Sequence, residues 1–347
     1  MNIKVFNNEE LIEAVNNLTD SHKVYVPVRD GDFYNFKPLK KGEKFDFNFQ
    51  NSRLSAKSII YPQSEGMFEC SNDTEQENAR ILREVDKEYP KQAVIGIRPC
   101  DAHAFKIVKR NFDNPDYKDP WWNRRYDTTL LVGLGCNNPC ATCFCDSVGG
   151  GPFDEKMLDV MLYDLGDKFL AKGLNEKGDE FIADTTTGNP ADESAIKQAE
   201  ELAKATTEKM NSNVKTDKLK EKVINELFDA PFWEEVAFAC INCGTCTFLC
   251  PTCWCFDIQD ETSGKEVLRM RNWDTCMSPL FTLEGSGHNP RSEKYQRVRQ
   301  RFMHKLKYYV DKYENGVQCS GCGRCVRYCP VNIDIRHVAE LMNNFAK

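Results

Sequence analysis

The chain has 347 residues, of which 41% are hydrophobic, enough to bury a core in two domains or in one large domain with an added module. Its formal net charge is −7 and it has no Lys/Arg-rich tail, which argues against a nucleic-acid-binding protein. No run approaches the ~18 consecutive apolar residues of a membrane span, and the first residues lack the apolar segment of a secretory signal, so we expect a soluble, cytoplasmic protein without a membrane span.

Residues 1–230 are predicted to form an α/β domain. Short apolar, β-branched runs predict buried strands, and these lie at 23–29, 56–62, 91–99 and 128–135. Apolar residues at helical spacing predict helices, and these lie at 8–18, 77–89 and 216–228. The polar segment 166–189 predicts a hairpin, with strands at 167–174 and 178–184.

Two further helix starts follow from the local sequence. Cys100 comes directly after a predicted strand, and the neighbouring Asp101 is a suitable N-cap for a helix. Asn189-Pro190 predicts the start of another helix, because proline favours the first helical position.

Cysteine is unusually abundant, with seventeen residues. Because no export signal is expected, this density indicates metal binding or catalysis rather than disulfides. Four cysteines lie at 136–145, six at 240–255 and four at 319–329, and only Cys70, Cys100 and Cys276 stand apart.

Two four-cysteine runs share the pattern C-x-x-C-G-x-C-x-x-x-C-P. Three cysteines spaced three residues apart let one loop bind three corners of an iron–sulfur cube, and in two-cluster ferredoxins the fourth cysteine binds the other cluster. We therefore predict two [4Fe–4S] clusters. The first is assigned to Cys240, Cys243, Cys246 and Cys329, and the second to Cys319, Cys322, Cys325 and Cys250.

Structural zinc is the alternative for these runs. Zinc usually takes two separate C-x-x-C pairs and needs neither the third cysteine nor the Cys-Pro ending. Both features occur twice here, which favours iron–sulfur clusters. Sixty-eight residues separate Cys250 from Cys319, and an insertion of this length resembles the α-helical ferredoxin module of respiratory iron–sulfur subunits. We therefore predict a C-terminal α-helical ferredoxin-type domain over residues 231–347.

A basic stretch lies between the two runs. It comprises Arg291, Lys294, Arg297, Arg299, Arg301, Lys305 and Lys307, with His304 beside them. Arg297, Arg301 and Lys305 share one helical face. They form either a solvated surface or a set of cations that offsets the negative charge of thiolate-bound clusters.

A third cysteine group lies in the α/β part. Cys100 and Cys136 each follow a predicted strand, and if these strands are parallel neighbours, both cysteines emerge at the same carboxyl edge. A cluster needs four thiolates, and five are available: Cys100, Cys136, Cys140, Cys143 and Cys145. The alternative is that some of them are buried, inert thiols.

Six blocks of sequence, in this order, resemble the family that comprises sulfhydrogenase β subunits and the A-subunits of anaerobic sulfite reductases. They are RPCDAHA, CFCDSVGGGP, CxxCGTCTFLCPTCWCFD, RNWDTC, GHNPR…RFMHK and CSGCGRCVRYCPVNIDI, and the resemblance spans residues 55–340. It implies a third [4Fe–4S] cluster on Cys100, Cys136, Cys143 and Cys145, with Cys140 spare. Cys253, Cys255 and Cys276 also match the family, as thiols beside the clusters, a reserve ligand or core residues. Cys70 has no partner pattern.

The resemblance implies an iron–sulfur relay subunit of an anaerobic oxidoreductase. Its partners would be an FAD-containing, diaphorase-type subunit that reacts with NAD(P)H and a terminal reductase or hydrogenase subunit. Two alternatives are a reductase that reduces its substrate at an open cluster iron, and a scaffold whose clusters serve folding alone. No catalytic residue is predicted, because the sequence has no H-E-x-x-H, P-loop or G-x-S-x-G motif.

Overall fold

The computed structural model describes residues 2–77, 79–313 and 316–346. These residues form twelve strands: β1 (Ile3–Phe6), β2 (Lys23–Asp30), β3 (Phe33–Pro38), β4 (Ser64–Ser71), β5 (Arg83–Glu84), β6 (Gln92–Ile97), β7 (Thr129–Leu134), β8 (Val160–Asp164), β9 (Phe169–Gly173), β10 (Asn189–Pro190), β11 (Phe256–Ser263) and β12 (Glu266–Trp273).

The same residues form thirteen α-helices: α1 (Asn8–Leu18), α2 (Lys57–Ile60), α3 (Pro99–Phe112), α4 (Pro120–Asp127), α5 (Glu176–Asp184), α6 (Glu193–Lys209), α7 (Ile224–Phe228), α8 (Phe232–Ala237), α9 (Thr245–Phe248), α10 (Lys294–Met303), α11 (Tyr309–Tyr313), α12 (Arg324–Arg327) and α13 (Ile335–Asn344). A π-helical turn, His304–Tyr308, joins α10 to α11. Short 3-10 turns lie at Cys145–Val148 and Pro279–Thr282.

A mixed eight-stranded sheet organises the first half of the chain. Its order is β10-β1-β9-β8-β7-β6-β2-β3. The four strands β2, β6, β7 and β8 run parallel, and antiparallel strands flank them on both sides. Every residue of β6 and β7 is buried, as expected for parallel strands with both faces covered.

Alternate residues of the central strands face two separate cores. Ala93 and Ile95 of β6 pack on the side of α1 and α5. Val94 packs on the side of α3, α4 and α6, and a bulge at Gly96 turns Ile97 to that side as well. The helix α3, which carries Cys100, therefore lies against this face of the sheet.

A second, antiparallel sheet joins strands from both halves of the chain. Its order is β11-β12-β4-β5. β12 pairs with β4, with Leu268 opposite Glu69. A third core lies among the C-terminal helices, where Trp233, Phe302 and Met342 are buried with Cys319.

Several predicted elements are confirmed in the structure. The strands predicted at 23–29, 91–99 and 128–135 are β2, β6 and β7. The helix at 8–18 is α1, in which Asn7 and Glu10 form a capping box. The mixed α/β character of the first part is therefore confirmed, and the helical ferredoxin-type nature of residues 231–347 stays a prediction.

Other local predictions are wrong. The segment 56–62 contains a helical turn, α2, whose Ile59 and Ile60 are buried, because a short apolar run fits a buried helix as well as a strand. The segment 178–184 lies in α5 rather than in a hairpin strand. Residue 78 lies outside the described residues, and the rest of the predicted helix 77–89 consists of turns and the edge strand β5.

Three helix starts also differ from expectation. The N-cap of α3 is Arg98, and Asp101 lies in the first turn. The helix expected at Asn189-Pro190 begins at Glu193 after the N-cap Asp192. In 216–228 only Ile224–Phe228 is α-helical, since the apolar spacing there includes an exposed residue, Val223.

The hairpin β11–β12 was not expected in the C-terminal part. All eight residues of β11 are exposed, and its apolar alternation is limited to Phe256 and Ile258, which is too short to identify a strand. Its backbone pairs fully with β12 through a turn at Gly264.

Candidate metal centres

The two cysteine runs fold as a structural repeat. In each run the third residue has a positive φ, 55° at Asn242 and 67° at Gly321. The fifth residue is a glycine with φ 72° in both, Gly244 and Gly323, and it precedes a one-turn helix. These turns wrap the backbone around the cysteine side chains, and glycine accommodates such a backbone conformation without strain.

Backbone amides point at equivalent sulfurs in the two runs. Asn242 N donates to Cys240 Sγ at 3.4 Å, and Gly321 N donates to Cys319 Sγ at 3.4 Å. Ile333 N donates to Cys329 Sγ at 3.2 Å. Such bonds favour the thiolate form, which is the metal-binding form of cysteine.

One cavity collects cysteines from both runs. It is lined by Cys240, Cys243 and Cys246 of the first run and by Cys329 of the second, and we call these four residues site 1. Cys325 reaches the same cavity, and the remaining lining is largely apolar. Cys243 is the exposed member of the group, so site 1 lies near the protein surface.

A neighbouring cavity has the reciprocal composition. It is lined by Cys319, Cys322 and Cys325 of the second run and by Cys250 of the first, and we call these four residues site 2. The grouping of each run with the last cysteine of the other agrees with the predicted ligand sets. Cys325 lines both cavities, so the two sites are adjacent.

Two buried cations line the cavity of site 2. Lys305 Nζ donates to Cys250 Sγ at 3.3 Å and to Thr252 Oγ1 at 2.9 Å. Burial alone would lower the pKa of Lys305, but thiolates led by Cys250 raise it above its usual range. Arg301 lines both cavities and donates to the Cys246 carbonyl at 3.3 Å. The interpretation of this helical face as charge compensation is therefore favoured for Arg301 and Lys305.

The third cysteine group lies at the carboxyl edge of the large sheet. Strands β6 and β7 are parallel neighbours, as predicted, and Cys100 and Cys136 follow them. Burial and the charges of Asp101 and Cys322 raise the pKa of the Cys100 thiol. Burial raises the pKa of Cys136 to about 11. In both cases burial disfavours the thiolate, which is the form of cysteine that binds a metal.

Cys143 and Cys145 complete this group. A hydrogen bond from the Cys145 thiol lowers the pKa of Cys143 to about 7, and the same bond and burial raise the pKa of Cys145. Charges at Cys100 and Cys136 also act on Cys145, so the four residues are electrostatic neighbours. We call them site 3. Cys140 is buried in the same loop.

Site 3 is joined directly to site 2. Phe144 N donates to the Gly321 carbonyl at 2.8 Å. Arg324, within the second run, forms a two-bonded ion pair with Asp101 at 2.5 and 2.7 Å, and both side chains are buried. No sequence signal links these two residues, because they lie in different cysteine blocks.

Other predicted residues lie outside these three groups. Cys253, Cys255 and Cys276 line a separate cavity, and Cys70 lies in β4 opposite Val267. In α3, next to Cys100 and Asp101, His103 Nδ1 lies 3.5 Å from the Asp154 carboxylate.

The donor sets fit iron–sulfur clusters. Sites 1 and 2 each supply four thiols around a cavity, which is the ligand number and type of a [4Fe–4S] cube. Within residues 2–77, 79–313 and 316–346, no three His, Cys, Asp or Glu side chains converge as a site for a metal ion. In a cube each thiolate binds its own iron, so the thiolates surround a space, as they do here.

Comparisons with known proteins decide the family. Residues 239–333 match the 4Fe-4S dicluster domain. The chain is 32% identical over 338 residues to the sulfhydrogenase 2 subunit beta of Pyrococcus furiosus, an alignment that covers 95% of this chain and 94% of the relative. The chain belongs to the sulfhydrogenase β subunit family. No solved structure matches the chain.

Membership in the sulfhydrogenase β subunit family confirms the predicted resemblance. The dicluster match supports [4Fe–4S] binding by the part of the chain that contains both runs. Together they support an iron–sulfur electron-transfer subunit. In the part of the chain that the structure describes, no helix combines the length and the apolarity needed to cross a bilayer.

Proposed function

We propose that this chain relays electrons within a multisubunit oxidoreductase, between a subunit that binds FAD and NAD(P)H and a terminal reductase or hydrogenase subunit. One observation carries the proposal: each of two adjacent cavities takes cysteines from both runs and shares Cys325 and Arg301 with the other. The relative is itself described as a subunit of a sulfhydrogenase, which supports partners of this kind.

We assign one [4Fe–4S] cluster to each of the three sites. Site 1 is Cys240, Cys243, Cys246 and Cys329; site 2 is Cys250, Cys319, Cys322 and Cys325; site 3 is Cys100, Cys136, Cys143 and Cys145. When bound, such clusters accept and release single electrons at potentials set by charge, hydrogen bonds and solvent exposure. Sites 1 and 2 belong to the proposed C-terminal domain, 231–347, and site 3 to the α/β domain, 1–230.

The protein surroundings are suited to hold reducible, negatively charged groups. Lys305 and Arg301 place buried positive charge beside the thiolates of sites 1 and 2. Backbone amides of Asn242 and Gly321 donate to ligand sulfurs. Phe302 and Met277 line the apolar wall of site 1 and limit its access to water. These residues stabilise added negative charge without a mobile counterion.

The order of the sites supports a relay. Site 3 adjoins site 2 through Phe144 and Gly321, and site 2 adjoins site 1 through Cys325. Cys243 at site 1 is exposed, and the nearby Phe238 and Ile241 are 82% and 63% exposed. An apolar rim around an accessible ligand fits the contact surface of a partner subunit, so we place one electron-exchange point at site 1.

A matched pair of variants tests the proposal. Anaerobically purified protein should contain about four irons per occupied site, or about twelve for three sites. Cys143→Ser should lose about four irons and one EPR signal of the reduced protein, whereas Cys140→Ser, in the same loop, should keep both. Unchanged iron in Cys143→Ser would remove site 3 from the assignment. Reduction of sulfite or protons by the isolated chain with a reduced viologen would contradict the relay role.

A further inference from the structure

The separate cavity lined by Cys253, Cys255 and Cys276 adjoins site 2, and the proposed relay does not use these three cysteines. Its lining includes Cys253, Cys255, Cys276 and His304, together with Trp254, Arg301, Lys305 and Gln318. Cys250, only three residues before Cys253, lines site 2 instead. The short segment from Cys250 to Cys255 therefore supplies cysteines to two different cavities.

The elements around this cavity hold its cysteines in place. Lys57 Nζ donates to the Cys253 carbonyl at 2.9 Å, and Tyr61 Oη donates to the Trp254 carbonyl at 3.3 Å. Asp274 N donates to the Cys255 carbonyl at 3.0 Å, which ties the segment before β11 to the segment after β12. Cys276 follows two residues later and is buried. These bonds bring cysteines 21 residues apart to one wall.

His304 provides a fourth donor of suitable form. It begins the π-helical turn between α10 and α11, and π-helical turns occur frequently at functional sites. Its ring contacts Trp254 edge-on at 5.7 Å between centroids. Its side chain lines the cavity together with the three cysteines, and imidazole is a common metal ligand.

The chemistry of the thiols matches that of the three proposed sites. The side chains of Cys255 and Cys276 are hydrogen-bonded to each other, as are those of Cys143 and Cys145. Positive charge is again close, since Arg301 and Lys305 line the cavity. The thiols surround a space, which suits a cluster better than a single ion with four converging ligands.

We propose that Cys253, Cys255, Cys276 and His304 hold a fourth [4Fe–4S] cluster beside site 2. The inference rests on the proposed iron–sulfur function and extends it, since this cavity shares Arg301 and Lys305 with the cavity of site 2. Arg301 and Lys305 line both cavities, so the reduction of one cluster would be linked to the charge of the other.

Iron and acid-labile sulfide analysis of the full chain, purified anaerobically, tests the count. The wild type should contain about sixteen irons, Cys276→Ser about twelve, and the control Cys70→Ser about sixteen. A wild type with about twelve irons, whatever the variants do, overturns the fourth cluster and leaves the proposed function intact. Fewer than about eight irons overturns the proposed function itself. One zinc per chain that Cys276→Ser loses also overturns the cluster assignment.

Pulsed EPR of the reduced protein tests the histidine ligand. The wild type should show strong nitrogen coupling from a coordinated imidazole. His304→Cys should keep about sixteen irons, because a thiolate replaces the imidazole, and should lose that coupling. Coupling that persists in His304→Cys overturns the ligand assignment.

Discussion

The buried pair of Arg324 and Asp101 is the strongest single contact between the second cysteine run and the α/β part. Arg324 donates twice to the carboxylate and also to the Ser52 carbonyl at 3.0 Å and the Asn51 side chain at 2.7 Å. Removing one partner of a buried ion pair leaves an uncompensated charge, which costs about 3–5 kcal/mol.

We therefore expect Arg324→Met to lower stability by about 3–5 kcal/mol. The loss should appear as a fall of several degrees in the thermal midpoint of the anaerobic protein. Asp101→Asn combined with Arg324→Met should be less destabilised than the sum of the single variants, because the stranded charge is gone. The exposed pair Arg269–Asp260 serves as control, and Arg269→Met should leave the thermal midpoint nearly unchanged, because exposed ion pairs contribute little. Additive effects in the double variant would contradict the pairing.

Lys305 should set the potential of the cluster at site 2. Its ammonium lies 3.3 Å from Cys250 Sγ and is buried, and the reduced state of a cluster carries one more negative charge. Lys305→Met should lower the potential on the order of 100 mV, from Coulomb's law at an effective dielectric constant near 20.

Lys307→Met is the matched control for redox titration of this variant. Lys307 is also buried, but it donates to the Leu219 carbonyl and to Asp311 rather than to a thiol. Lys307→Met removes the same single positive charge as Lys305→Met and should shift the potential of the site 2 cluster far less. Equal shifts in the two variants would mean that Lys305 acts only through net charge.

The sequence predicted some of the residues around these sites and gave no indication of others. The cysteines of sites 1 and 2 were identified because their spacing alone specifies the ligand pattern, whereas the choice of four among five cysteines for site 3 came from the family resemblance. The role of Lys305 was left open between two interpretations, because a charged helical face looks the same in sequence whether it is solvated or buried. Lys57 carried no signal at all, because its contact to the Cys253 carbonyl depends on a fold that joins residues 196 positions apart.

At the scale of elements, glycines set how closely two loops approach. Gly321 has φ 67°, and a Cβ there would lie 2.5 Å from Cys145 N and from the Phe144 carbonyl carbon. Gly264, in the β11–β12 turn, has a similar φ of 62° but no atom within 4 Å of a Cβ. A side chain would therefore strain the backbone at both positions, but only at position 321 would it also clash with neighbouring atoms.

Gly264→Ala should cost about 1–2 kcal/mol for the left-handed conformation alone. Gly321→Ala should cost more than about 3 kcal/mol, because backbone atoms of the site 3 loop cannot move aside as a flexible side chain can. Thermal unfolding should show a larger fall in the midpoint for Gly321→Ala than for Gly264→Ala, and iron analysis should show lost iron for Gly321→Ala alone. Equal thermal midpoints for Gly321→Ala and Gly264→Ala would show that the second cysteine run and the site 3 loop can separate at little cost.

Element predictions failed where pattern and environment diverged. The run 56–62 is short and mostly buried, and so short a buried run does not distinguish a helical turn from a strand. The strand β11 is wholly exposed and is held by backbone pairing with β12, and its apolar pattern is limited to Phe256 and Ile258. In contrast, β6 and β7 were found because parallel strands covered on both faces are continuously apolar.

At the scale of the whole molecule, the cores differ in their dependence on metal ligands. The core between the large sheet and α1 and α5 contains no cysteine among the described residues. The C-terminal core includes Cys319 and packs against Cys240, Cys246 and Cys325. Metal binding to such residues contributes directly to folding, so the two parts of the chain should respond differently to iron removal.

We expect hydrogen exchange, measured by mass spectrometry before and after anaerobic iron removal, to separate the two parts. Amides of residues 239–333 should exchange roughly tenfold faster or more in the stripped protein, because unbound thiols no longer hold the two runs together. Amides of β6, β7 and β8 should keep their protection, since apolar side chains rather than ligands cover both faces. Protein taken through the same steps without chelator is the control. If β6 to β8 lose protection together with residues 239–333, the chain unfolds as one unit. The ion pair of Arg324 with Asp101 and the pairing of β4 with β12 would then couple the two parts, although their cores are separate.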